Sequence, residues 1–129
     1  MIKDYKNWHN KKTGINDISI RPGFHEREIW TCYLGSNVGF EQDGSGEDYL
    51  RPVLIIRKFN NEIFWAIPLT NTKKESEHYF SFSFIEGQVS TAILSQIRLI
   101  DAKRLGYRIG YMSEIDFPLI KEKLKALLH

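Results

Sequence analysis

Residues 51–70 read RPVLIIRKFNNEIFWAIPLT, and the way this stretch divides decides the fold. Two runs rich in β-branched, aliphatic and aromatic residues, 52–58 and 63–69, flank Phe59, Asn60, Asn61 and Glu62. Such runs on either side of a short polar break form an antiparallel hairpin. Asparagine tolerates positive φ, so Asn60 and Asn61 predict a tight primed turn. In a hairpin symmetric about that pair, facing residues have numbers summing to 121, which puts Arg51 opposite Thr70 at the open end. Opposed residues project on the same side with Cβ atoms roughly 4.5–5.5 Å apart, within one phosphate's span. A four-residue turn keeps this register, whereas a three-residue loop shifts it by one and breaks the pair.

The two side chains suit phosphate chemistry. Arginine supplies a planar, permanently charged fork, and a threonine hydroxyl both donates and accepts. Together they would stabilise a phosphorane-like transition state. The plainer alternative makes Arg51 a surface residue paired with Glu47 or Asp48, and Thr70 a strand end.

Outward from the hairpin, residues 28–34 (EIWTCYL) open the body as a strand, and residues 35–50 form a long acidic loop with Gly35, Gly39, Gly44 and Gly46. Residues 79–85 alternate Phe80, Phe82 and Phe84 with Ser81 and Ser83, and a second strand is expected over 89–100 after a turn at Glu86 and Gly87. That alternation turns most aromatics inward and leaves few for the surface. Asp101 caps a short turn carrying Lys103 and Arg104. A final helix follows Ser113, with Phe117, Ile120, Leu124 and Leu127 on one face and Pro118 in its first turn. Residues 3–12 (KDYKNWHNKK) read as a short polar helix presenting Tyr5 and Trp8. The expected architecture is mainly β (α+β): about five strands in a small, partly open antiparallel barrel with a C-terminal helix. Residues 1–27 form an N-terminal basic helical arm and residues 28–129 the barrel.

Composition sets limits on function. The chain has 129 residues, 18 basic against 16 acidic, with 42% hydrophobic and 26% charged residues, an ordinary globular balance that excludes disorder as the main state. No apolar run approaches the roughly 20 residues of a membrane span, and the polar N-terminus lacks a secretory pattern. The expected compartment is therefore the cytoplasm. A lone cysteine, Cys32, excludes an internal disulfide and a multi-cysteine zinc site, and its strand position suits a core residue better than a nucleophile. Base exceeds acid only in residues 1–27, with six Lys or Arg against three Asp or Glu. A body that handles a polyanion must therefore place a few arginines well.

Four segments in order, GFEQDG (39–44), RPVLII (51–56), AIPLT (66–70) and SQIRLID (95–101) followed by Arg104 and Leu105, give a chain that resembles the MazF/PemK-like toxins of type II toxin–antitoxin systems. The resemblance runs from about residue 28 onward. It implies an SH3-like barrel, a homodimer, a cognate antitoxin, and metal-independent endoribonuclease activity on single-stranded RNA such as mRNA, with no cofactor. It also implies catalytic roles for Arg51 and Thr70. The substrate's 2′-hydroxyl attacks the adjacent phosphorus to give a 2′,3′-cyclic phosphate and a 5′-hydroxyl end. RNA contacts are implied at Glu41, Gln42, Ser95, Gln96 and Arg98. Gln96 and Arg98 share a face if their strand alternates; a surface salt bridge is the competing role for Arg98, and a solvated or Arg51-ordering charge that for Glu41. The loop departs from the family, since residues 45–50 separate its glycine from Arg51 where many members have one or two residues.

Three rivals remain open at this level. His25 and His78 are a conceivable acid/base pair, although no motif aligns them. A non-catalytic barrel that acts by protein contact, as gyrase poisons do, is a second reading, but this chain ends Leu127, Leu128, His129 and not in a tryptophan-glycine-isoleucine terminus. The third is an RNA-binding barrel whose aromatics stack bases.

Overall fold

A computed structural model describes residues 23–34 and 50–128. The expected arm helix over 3–12, most of the segment 1–27, loop residues 35–49 with Glu41 and Gln42, and His129 lie outside the described residues. Within them, seven strands form one curled antiparallel sheet: β1 (Glu28–Tyr33), β2 (Leu50–Lys58), β3 (Ile63–Thr70), β4 (Tyr79–Ile85), β5 (Gln88–Ile93), β6 (Arg98–Asp101) and β7 (Leu105–Tyr111). Their order is β4-β5-β3-β2-β1-β7, with β6 also paired to β3. One helix, α1 (Asp116–Leu127), follows. The mainly β barrel with a C-terminal helix is thus present, with seven strands where about five were expected. One extra strand is β7, paired with β1 over residues not expected as a strand, and the other arises because residues 89–100 are not continuous. A 3₁₀ turn at Leu94–Gln96 ends β5, and the chain re-enters as β6 beside β3.

The central hairpin is buried on both sides, and this divides the core. Leu54 and Ile56 of β2 join Ile67, Leu69, Phe82, Leu94, Phe117 and Ile120 in one cluster. Val53 and Ile55 face the other way, with Trp30, Cys32, Phe64, Ala66, Ile100 and Leu105. The second cluster is closed by Phe24, which is 1% exposed and whose ring lies 4.9 Å from that of Phe64. Core packing therefore begins ahead of β1. The helix starts where Ser113 Oγ accepts from the Asp116 N–H at 3.0 Å and its carbonyl accepts from Phe117 N–H. Phe117 and Ile120 then turn into the first cluster. Phe84 of β4 lies against Gly110 of β7, where an added Cβ would stand 2.7 Å from the ring, so two strands at opposite ends of the sheet order meet through that glycine.

The hairpin turn is not the primed type expected. Among the described residues only Arg27 and Gly87 have positive φ. Asn60 instead folds the loop with its side chain, Oδ1 accepting from Glu62 N–H at 2.7 Å and Ile63 N–H at 3.0 Å. Phe59 N–H donates to the Ile63 carbonyl, leaving a three-residue loop, and the first ladder pairs are Lys58↔Phe64 and Arg57↔Trp65. That register is one residue off. The offset is removed by a β-bulge at Ile56, after which Ile55↔Ala66, Leu54↔Ile67 and Val53↔Pro68 restore the sum of 121. The surface also holds more aromatic area than the alternation predicts, with Phe59 and Trp65 edge-to-face at 5.0 Å and both exposed.

Candidate active site

Arg51 and Thr70 occupy the open end of this hairpin. The β2–β3 ladder stops at Val53↔Pro68. Pro68 and the neighbouring Pro52 have no N–H to donate, so neither can extend it. Beyond that pair each strand keeps only its outer neighbour. Arg51 stands opposite Cys32 of β1, and Thr70 opposite Thr91 of β5. Both remain on the side of the sheet that carries Cys32, Val53 and Pro68, because Arg51 pairs with Cys32 and Thr70 follows Pro68 by two residues. Arg51 is exposed and Thr70 half-buried. Thr70 Oγ1 accepts from the Thr72 N–H at 3.2 Å, which orients the hydroxyl and leaves its own proton for another acceptor.

Positive charge gathers beside Arg51. Burial pushes the Cys32 thiol up to about 11, and the nearby Arg104 and Arg98 guanidiniums partly oppose that rise. Arg104 and Arg98 thus lie near the Cys32 thiol, and Arg51 pairs with Cys32 across the ladder. Arg104 is held by an Nη1 bond to the neutral Tyr33 carbonyl at 3.2 Å. A permanently cationic rim of this kind is suited to a phosphodiester chain.

The other predicted residues fall as follows. Ser95 and Gln96 are exposed on the 3₁₀ turn and not on a strand, so alternation does not carry Gln96 onto the face of Arg98. Arg98 sits in β6 opposite Ala66, on the Arg51 side. His25 and His78 are not brought together as a pair: His25 Nδ1 is 3.4 Å from Glu28, and His78 Nε2 is 3.9 Å from Glu77. Cys32 is fully buried with a raised pKa, unfit for nucleophilic work. Among the described residues no three His, Cys, Asp or Glu side chains gather around one point. Asp101 caps its turn as expected, accepting from Lys103 N–H at 2.8 Å, and so presents Arg104. Arg104, near the Cys32 thiol, was not singled out as a site residue from the sequence, although that cap was its visible signal.

A family model described as the PemK-like, MazF-like toxin of type II toxin–antitoxin systems matches residues 25–128. The chain belongs to this family. Its members are known as endoribonucleases. The MazF-mt6 toxin of Mycobacterium tuberculosis shares the fold with a TM-score of 0.62 at 20% identity, over 79% of this chain and 96% of that one. MazF from Deinococcus radiodurans does so at 0.65 and 18%, over 84% and 97%. A mycobacterial endoribonuclease in complex with its cognate antitoxin gives 0.64 and 15%, over 82% and 95%. No curated protein matches the chain in sequence. At these identities the structural likeness is one of fold. No helix among the described residues is long and apolar enough to cross a membrane.

Proposed function

We propose that this PemK/MazF-family chain is a metal-independent endoribonuclease of single-stranded RNA, with Arg51 and Thr70 as its catalytic residues. One observation carries the reading. An exposed arginine and an oriented threonine hydroxyl share one side of the sheet at the point where two prolines end the ladder between their strands. In the reaction, the ribose 2′-oxygen forms a bond to the adjacent phosphorus while the bond from phosphorus to the 5′-oxygen breaks. The products are a 2′,3′-cyclic phosphate and a 5′-hydroxyl end. Arg51 stabilises the charge that builds on the non-bridging oxygens, and the Thr70 proton donates to one of them. With a pKa above about 12, an arginine is a poor base. The 2′-proton therefore passes to a carboxylate or to water, and the departing oxygen takes a proton from solvent. Arg98 and Arg104 hold the flanking phosphates. Gln96 and Ser95, exposed on their turn, and Glu41 and Gln42 of the loop contact the RNA.

In the cell this activity is held in check by a cognate antitoxin covering the Arg51 rim, and the working form is a cytoplasmic homodimer. The test is incubation of purified protein with single-stranded RNA in chelator. Cleavage by wild type, ends that are cyclic phosphate and 5′-hydroxyl, and loss of cleavage in Arg51→Ala and Thr70→Ala support the enzyme. RNA left whole by folded wild-type protein refutes it in favour of a binding module.

A further inference from the structure

The row of side chains that holds Thr70 continues beyond it. Thr91 of β5 stands directly opposite Thr70, and Ser81 of β4 directly opposite Thr91. The three hydroxyl residues therefore project on the same side as Arg51. Thr91 is fully buried, and its Oγ1 lies 3.0 Å from Ser81 Oγ, which is exposed. When Thr91 is the donor in this pair, Ser81 keeps its own proton and a lone pair and can both donate and accept. The neighbouring Ser83 makes the contrast. Its hydroxyl turns back to the carbonyls of Ile85 at 3.0 Å and Gln88 at 2.7 Å and serves only the hairpin. Among the described hydrogen bonds Ser81 Oγ meets no backbone group, and its partner is a buried threonine in line with the candidate catalytic one.

We infer that Ser81, anchored on Thr91, is a ribose-binding residue that takes the 2′-hydroxyl of a nucleotide next to the one cleaved. The inference rests on the ribonuclease reading above and adds a subsite to it. A neutral hydroxyl that donates and accepts matches a partner with the same property, and in RNA that partner is the 2′-hydroxyl. Phosphates are served by the arginine rim. Ser81 lies two strand spacings from Thr70, roughly 10 Å, too far for the ribose under attack and suited to its neighbour. The subsite would favour RNA over DNA beyond the chemical need for one attacking 2′-hydroxyl.

The experiment uses a defined RNA oligonucleotide with one mapped cleavage site, and the same oligonucleotide carrying a single 2′-deoxy substitution at each flanking nucleotide in turn. Wild type, Ser81→Ala and Thr91→Val are compared by kcat/KM, with circular dichroism as the folding check. On the all-ribose substrate Ser81→Ala is expected to fall about 3- to 10-fold, the worth of one neutral hydrogen bond. At one flanking position the deoxy substitution costs wild type the same factor and costs Ser81→Ala nothing further. Thr91→Val shows a smaller loss confined to that same position. Wild-type activity in Ser81→Ala, or an equal loss on ribose and deoxy substrates, overturns the subsite while leaving the ribonuclease standing. Failure of wild type to cleave any RNA overturns both.

Discussion

Glu28 offers a sharp test of how the sheet is held. Its carboxylate is nearly enclosed, with Oε1 accepting from His25 N–H at 2.8 Å and Trp30 Nε1–H at 2.9 Å, and Oε2 from Arg108 at 3.1 Å. Burial opposes its ionisation, but bonds from Trp30, the His25 backbone and Arg108 outweigh it and hold the pKa below the ordinary 4.5. The substitution Glu28→Gln keeps the shape and removes the charge. Weakening two charge-assisted bonds to neutral ones costs about 1 kcal/mol each. The pair with Arg108, whose side chain is 55% exposed, adds only about 0.5 kcal/mol after solvent screening. The total of roughly 2.5 kcal/mol corresponds to a Tm drop of about 10 °C for a domain of this size. The sign with pH follows from the lowered pKa. Stability from the carboxylate is fully present above the unfolded value near 4.5 and is lost as pH falls through the lower folded value. Urea unfolding of both proteins from neutral pH to pH 3 should therefore show a gap that is constant above about pH 5 and closes on acidification. Equal stability at pH 7, or a gap that persists unchanged to pH 3, would refute the assignment.

Other consequences are as direct. Arg51→Ala should leave unfolding free energy within about 0.5 kcal/mol, since the residue is exposed, while cleavage falls about 10²- to 10³-fold; a large loss of stability in urea would mean that Arg51 is structural. Phe24→Ala empties a site 1% exposed against Phe64 and should cost about 3–5 kcal/mol in the same assay, a result that an unchanged midpoint would contradict. In Gly106→Ala the new methyl would stand 2.4 Å from Thr31 Oγ1, the acceptor of the Tyr107 N–H. Overpacking there should cost about 1–3 kcal/mol, and adding Thr31→Ala should give less than the sum of the single effects; strict additivity would argue against the clash. Native protein at pH 8 should resist alkylation at Cys32, whose thiol is buried and raised to about 11, and react once unfolded; rapid native labelling, read by mass, would count against the described burial.

The parts legible in the sequence were those set by local pattern. Alternation of phenylalanine with serine marked β4, the 3- and 4-residue steps of Phe117, Ile120, Leu124 and Leu127 marked α1, and Asp101 and Ser113 marked the turns they close. What escaped depends on distant partners. Residues 89–100 are apolar enough throughout to read as one strand, and the break at Leu94–Gln96 exists because β6 is needed beside β3, a demand written in Ile63 to Ala66 and not in the segment itself. Phe24 looks like a linker residue until Phe64 is opposite it. Ser81 was read only as part of the alternating β4 pattern and Thr91 was not singled out, because their shared row with Thr70 is a property of three strands at once.

The expected register between the strands that carry Arg51 and Thr70 is reached by way of a different turn, and the ladder stops at Val53↔Pro68, so the two residues are not themselves paired. A symmetric two- or four-residue turn would set the register directly, yet the loop closed by Asn60 has three residues, and a uniform ladder from it would have put Arg51 one position past Thr70. Ile56 cancels that slip. As the extra residue of a bulge it adds one position to β2, and because its side chain is 5% exposed within the first core cluster, the bulge is held by packing and not by the turn. The register at the candidate active site therefore depends on an apolar contact five residues away in the chain. Substituting Ile56 with a polar residue would remove the burial that favours two residues opposite one, while changes confined to Asn61, whose side chain makes none of the described loop bonds, should leave Arg51 where it is. Burial, more than loop chemistry, is what sets the register of β2 on β3.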